Sequence, residues 1–277
     1  MVNLVHVPVS EFSRILDIPL PDTTRAQIFS TLGRVNTLYM IKRAGSGHIG
    51  TSLSSLDIVS WLFLNRLNRD AGSEDIYFSS KGHDVPALYA TLIGLGMLDD
   101  KFLHLLRRID GLPGHPDVSI PYMVTNTGSL GMGISKAKGM ARANRLLGKR
   151  GHIYVLLGDG ELQEGQIWES LGSAVNDGIT EITAIVDHNK VQSDTFVSAT
   201  SDLGDIEAKF NAFGWHVSRC NGNDHASLRQ AFIDLDAVVE RPKLLIADTQ
   251  KGSGVSFMEH SSMPDGEWLY RYHSGAP

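Results

Sequence analysis

The sequence predicts a single α/β domain built on a doubly wound, mainly parallel sheet with helices on both faces. Three observations carry that expectation. Short apolar runs, such as Ile153–Leu157 and Ile182–Val186, alternate with stretches whose apolar residues recur at helical spacing. The segment from Gly158 to Asn189 reads as the end of one strand, a crossover helix and a parallel neighbour that ends in Asp187-His188-Asn189. The 277 residues are 42% apolar and 20% charged, which suits one large core, and no repeat, low-complexity tract or linker divides them.

Taken in order, residues 1–21, with Pro8, Pro19 and Pro21, predict an irregular N-terminal arm. Asp22 or Thr23 caps a helix with apolar residues at Ile28, Leu32, Val35, Leu38 and Ile41 that stops near Gly45. After the loop GSGHIG, a buried helix capped by Ser54 or Ser55 runs to about Leu67. Ile76–Ser80 is a short strand, and Pro86 suits the first turn of the helix that follows it. Asp99–Ile109 reads as a further helix leading into GLPGHPDVSIP, and TGSLGMG opens a small-residue helix that runs to Leu147. Beyond the Gly158–Asn189 unit come a loop, a helix at Ile206–Phe213, a strand at Trp215–Cys220, a helix capped by Asp224 and a last strand, KLLIADT.

Composition excludes several classes. A net charge of −6 and the absence of a basic stretch argue against a nucleic-acid partner. One cysteine, Cys220, excludes an internal disulfide and a thiolate metal cluster. No run is long enough for a membrane span, the opening MVNLVHVPVSEF lacks a signal-peptide pattern, and a cytoplasmic location is expected.

The chemistry sits at the strand ends. Parallel neighbours place their C-terminal ends side by side, so Asp159 and Asn189 meet at one edge of the sheet. Both offer hard oxygen donors, and magnesium takes one or two such ligands and completes its shell with water and phosphate oxygens. Gly158 and Gly160 flank the carboxylate with residues free to adopt positive φ and to let a diphosphate approach the backbone. A metal-bridged diphosphate is the reading. Four of the eleven histidines, His48, His83, His115 and His273, lie in Gly-rich loops at the same edge and would form a proton-exchanging cluster if they converge.

The stretch GDGELQEGQIWE, with Asn189 closing the second strand, resembles the thiamine diphosphate motif in its transketolase form. SGHIG, SSKGHDVPALY, GLPGHPD, TGSLGMG and KGSGVSFME followed by HSGAP are similar to that family's loops and extend the resemblance from about Ser46 to the C-terminus. The resemblance implies a thiamine diphosphate-binding fold and a transferase that moves a two-carbon ketol unit from a ketose to an aldose. It implies that Asp159, Asn189 and the carbonyl of Val191 bind Mg²⁺ or Ca²⁺. Gly128, Ser129, Leu130, Gly158, Gly160, Glu161 and His83 would contact the cofactor, and Glu164 would join an acidic relay near a subunit interface. His48, His115 and His273, with His83 beside the diphosphate, would handle the sugar's hydroxyls and carbonyl. Met132 stands where the family has Gln, Asn221-Gly222-Asn223-Asp224 stands where relatives have DGHD, and a longer spacer before His273 makes His260 a competitor for its role.

In the resembled family a second domain carries the pyrimidine-binding residues, and Pro277 falls where the first domain closes. The expectation is the N-terminal subunit of a split transketolase, active on sugars or sugar phosphates only with a separate C-terminal subunit, in an α2β2 assembly. Half of another thiamine carboligase, such as a 1-deoxyxylulose-5-phosphate synthase-like or E1-like enzyme, is one alternative. A non-catalytic cofactor-binding or interaction protein derived from a transketolase half is a second, and a nucleotide-binding α/β domain, disfavoured because no GxGxxG follows a strand and no Walker loop occurs, is a third.

Overall fold

The structure, a computed structural model, describes residues 4–259 and 269–275. Nine α-helices and seven strands alternate among them: α1 Val9–Asp17, α2 Asp22–Ala44, α3 Ile49–Asn65, β1 Ile76–Ser79, α4 Val85–Gly94, α5 Gly133–Leu146, β2 Ile153–Gly158, α6 Gly165–Asn176 and β3 Ile182–His188 come first. A short hairpin of β4 Val191–Gln192 and β5 Thr195–Phe196 follows, then α7 Val197–Thr200, α8 Ile206–Ala212, β6 His216–Asn221, α9 His225–Asp236 and β7 Lys243–Asp248. Five strands form one sheet in the order β1-β2-β3-β7-β6, every pair parallel.

Side-chain alternation divides the core between the two faces of this sheet. Tyr154, Leu156, Ile185 and Leu245 pack on one side against α2, α3, α4 and α9. Ile153, Val155, Leu157, Val186 and Ile246 pack on the other against α5, α6 and α8. Register sets Gly158 of β2 beside Asp187 of β3, and His188 beside Asp248 of β7. Asp159 and Asn189 therefore leave adjacent strands at the same edge.

Five expectations are corrected. The N-terminal arm is largely helical: Pro8 sits at the N-cap of α1, and Phe12 and Ile15 are buried, with Phe12 edge-on to Phe29 at 5.0 Å. Its prolines bracket the helix instead of excluding it. In α2, Asp22 is the first helical residue and pairs with Arg25 at 3.0 Å; it provides no side-chain cap, while Gly45 closes the helix at φ 78°. α3 begins at Ile49, so Ser54 and Ser55 lie inside it, their hydroxyls donating back to the Thr51 carbonyl at 3.0 and 2.9 Å.

The fourth correction concerns Asp99–Ile109. Only a 3₁₀ turn at Asp100–His104 forms, and Leu106 bridges to Leu112 across a tight loop. Arg107 and Asp110 hold left-handed conformations there, with φ 55° and 59°. The segment expected as a loop after Asn189 instead holds β4, β5 and α7, while the other elements agree with the sequence to within a few residues, including Pro86 in the first turn of α4 and the Asp224 carboxylate capping α9 through Ala226 and Ser227.

Candidate active site

The turn after β2 and the turn after β3 are fastened to each other. Asp159, 3% exposed, accepts hydrogen bonds from the Gly160 N–H at 2.8 Å and, on its other oxygen, from the Lys190 N–H. Asn189, 4% exposed, turns its Oδ1 to the Val191 N–H at 3.1 Å and its Nδ2 to Asp187 at 3.3 Å. Burial, and then the Asp187 charge, push the Asp159 carboxyl up to about 7. A carboxylate raised this way gains from a cation. Asp159, the Asn189 amide oxygen and the Val191 carbonyl make a hard-oxygen donor set that suits magnesium, which needs few protein ligands when phosphate oxygens and waters fill the rest. One carboxylate is enough for such a site, and among the described residues no cluster of three metal-ligating acidic, histidine or cysteine side chains occurs. Lys251 brings positive charge to the same place, its Nζ donating to the carbonyls of Val191 at 2.9 Å and Ser193 at 3.2 Å.

The glycines act differently from expectation. Neither Gly158 nor Gly160 has positive φ. Gly160 is required for space, because a Cβ there would stand 2.7 Å from Gln192 Oε1. Positive φ occurs instead in TGSLGMG, at Gly128 (109°) and Gly131 (85°), and a Cβ on Gly128 would meet the His115 ring at 2.5 Å. Glu161 locks these parts together. Its buried carboxylate accepts from Ser80 Oγ, from the Gly131 N–H at 2.9 Å and from the Gly158 N–H at 3.1 Å, joining three loops.

Beneath the cavity lies an ion pair that the sequence did not disclose. Lys81 Nζ, 1% exposed, stands 2.5 Å from Asp187 Oδ2 and 3.6 Å from Asp84, and donates to Thr51 Oγ1 at 2.8 Å. Asp187 also accepts from Ser54 at 2.6 Å and from Thr249. Burial alone would raise the Asp187 carboxyl; Lys81 and these hydroxyls hold it below the usual range. Burial likewise works against the Lys81 ammonium, and Asp187 and Asp84 outweigh it, so both partners stay charged.

The four loop histidines converge. Ring centroids of His48 lie 5.0 Å from His83, 5.1 Å from His273 and 6.1 Å from His115, and His83 lies 6.2 Å from His273. His273 arrives there because residues 269–275 are pinned by backbone bonds: Tyr270 N–H to Asp194 O, Gly50 N–H to Tyr272 O and Gly275 N–H to Gly47 O. His260, its competitor, lies outside the described residues. A cavity of about 280 Å³ is lined by His48, His83, His273, Leu130, Gly158, Asp159, Gly160, Glu161, Glu164, Asn189 and Val191. His115, Gly128 and Ser129 stand outside that lining, with His115 stacked over Gly128 at its edge. Glu164 is exposed at the start of α6. Sequence reasoning missed Thr51, Lys81, Gln163, Gln192, Ser193 and Lys251, which also line it; the lysines inside SSKGHD and KGSG were the available signal.

Burial lowers every imidazole of the cluster. It brings His48, with help from His273 and Arg107, to about 4, and His273, with help from Lys251, to about 4. His115 is lowered by burial and Arg107, and His83 well below its usual value by burial and Lys81. At neutral pH the cluster is uncharged, and each imidazole can accept a proton only as a weak base. The unfolded chain takes up protons near 6.5 that the folded cluster refuses until about 4, so stability is complete above about 6.5 and falls as pH drops toward about 4. Urea midpoints recorded across that window check this, and a His48→Asn/His273→Asn double variant should flatten the fall.

Comparison with known proteins places this geometry. The family described as "Transketolase, thiamine diphosphate binding domain" matches residues 25–269. An apulose-4-phosphate transketolase subunit of Phocaeicola vulgatus is 33% identical over 257 residues, covering 91% of this chain and 89% of that protein. A 6-deoxy-6-sulfo-D-fructose transketolase subunit of Clostridium sp. is 35% identical over 230 residues, covering 80% and 84%. Among solved structures, transketolase from Campylobacter jejuni superposes with a TM-score of 0.80 at 28% identity, over 91% of this chain and 40% of that one. The chain thus spans about two fifths of the length of the solved transketolases it matches.

Proposed function

The chain belongs to the family of transketolase thiamine diphosphate-binding domains and corresponds to the N-terminal subunit of a split transketolase, and from that premise we propose that it transfers a two-carbon ketol unit between sugars when completed by a second subunit. The observation that carries this reading is the convergence of Asp159, Asn189 and the neutral histidines on one cavity. Asp159, Asn189 and the Val191 carbonyl would hold Mg²⁺, or Ca²⁺, and through it the diphosphate. Thiamine diphosphate, when bound, supplies the electron sink that lets a carbon–carbon bond beside a carbonyl break. The protein's part is orientation and protons: uncharged His48, His115 and His273 accept a proton from a donor hydroxyl and return it to the acceptor, while His83 stands against the diphosphate loops.

The pyrimidine half of the site would come from a separately encoded C-terminal subunit in an α2β2 assembly in the cytoplasm, with exposed Glu164 available to that partner. Coverage of most of the length of relatives named as subunits supports this. Those relatives are named for a sugar phosphate and a sulfo sugar, which supports an acid-bearing sugar here as well. No helix among the described residues is long and apolar enough to cross a membrane.

The isolated chain with Mg²⁺ and thiamine diphosphate should show little or no ketol transfer, and co-expression with a pyrimidine-domain subunit should restore it. Robust transfer by the purified chain alone would sink the split-site reading. Assays with pyruvate in place of a ketose donor separate it from a 1-deoxyxylulose-5-phosphate synthase-like or E1-like activity.

A further inference from the structure

Arg107 stands beside the loops that carry His48 and His115. It is an exposed, non-glycine residue with φ 55°, a conformation that disfavours a long side chain and is kept here by the loop around it. That loop closes through Arg107 N–H to Leu112 O at 2.7 Å and Leu112 N–H to Leu105 O at 3.0 Å. The conformation turns the guanidinium toward the two loops that carry His48 and His115. Nη1 donates to Ser46 Oγ at 3.3 Å, and a Cβ on Gly114 would stand 2.7 Å from Nε, so the bare backbone beside His115 is what makes room for it. Among the described residues no carboxylate lies within ion-pair distance of Arg107. Its neighbours on the rim are also basic, with Arg108 donating to the Arg43 carbonyl at 3.2 Å. An exposed forked cation beside the His48 and His115 loops, with no acidic partner among the described residues, is suited to a tetrahedral oxyanion.

We propose that Arg107 is this chain's specificity-determining residue, receiving the phosphate or sulfonate at the far end of the sugar while the histidines hold its reacting end. The inference rests on the ketol-transfer reading for the identity of the sugar, but not for the anion site itself. The guanidinium contacts Ser46, two residues before His48, and lies against Gly114, next to His115, so an acid group bound there would leave the sugar's hydroxyls near those imidazoles.

Two measurements test it. Isotope-labelled chain is titrated with inorganic phosphate and, separately, with methanesulfonate; the Arg107 side-chain N–H and the Ser46 and Gly114 amides should shift saturably, and Arg107→Gln should remove the response. Unmoved resonances at those positions overturn the proposal even if the complex proves to have no ketol-transfer activity. In the assembled complex, Arg107→Gln should raise KM for an acid-bearing sugar about tenfold more than for an uncharged sugar, with Arg107→Lys in between. Whichever acid gives the lower wild-type KM must be the one whose KM rises most. An equal effect on charged and uncharged sugars would mark Arg107 as merely structural. Absence of transfer with every sugar would refute the reaction and leave the titration to decide on Arg107.

Discussion

Asp159→Ala in the assembled two-subunit complex should lower metal-dependent thiamine diphosphate affinity by more than about 100-fold, since even residues that only orient a metal ligand change affinity by about 10–100-fold. The carboxylate is buried, raised by that burial, and joined by its backbone partners to the turn that presents Asn189 and Val191. Removing it takes away the one anionic ligand and also the clasp on the Lys190 N–H. Calorimetric titration with cofactor in the presence of Mg²⁺ measures the loss. Asp159→Asn separates the two roles, because it can keep a hydrogen bond to Lys190 without supplying the charge. Unchanged affinity in Asp159→Ala would refute the metal assignment.

Lys81→Met should be the most damaging change to stability, at about 3–5 kcal/mol, because it strands a buried charge. Asp187 is fully buried, and Lys81 is its only cationic partner among the described ion pairs. Its hydrogen bonds to Ser54 and Thr249 satisfy lone pairs without cancelling the charge. Denaturant unfolding of the full chain gives the value. Adding Asp187→Asn to Lys81→Met should recover part of the loss, which distinguishes a stranded charge from lost packing. A loss below about 1 kcal/mol would mean that solvent reaches the pair and screens it.

Much of this was readable beforehand, for identifiable reasons. Asp159 and Asn189 were legible because a parallel strand pair has only one way to align its ends, and the apolar runs on either side fix where the ends fall. The histidines were legible as residues of edge loops, but their meeting depended on loop conformations that spacing does not encode. The Lys81–Asp187 pair was hidden because its members are 106 positions apart and each looks unremarkable in its own loop. Helix α1 was hidden by its prolines, which mark helix ends as readily as irregular chain. Arg107 was hidden because helical apolar spacing through Leu103 and Leu106 continues into a segment where the backbone reverses hand. Gly158 and Gly160 line the cavity without positive φ: one has ordinary room and the other leaves space for Gln192, while the left-handed turns sit in the neighbouring TGSLGMG loop.

The three backbone bonds that seat residues 269–275 have a consequence for how sequence length can vary in such subunits. His273 takes its position from Gly47, Gly50 and Asp194, so its registration is set by the body of the domain and not by the number of residues that precede it. Lengthening a connecting segment adds loop-closure entropy only logarithmically. A change in the number of residues between Glu259 and Leu269 therefore leaves the bonds of Tyr270, Tyr272 and Gly275, and with them the place of the His273 imidazole, as they are.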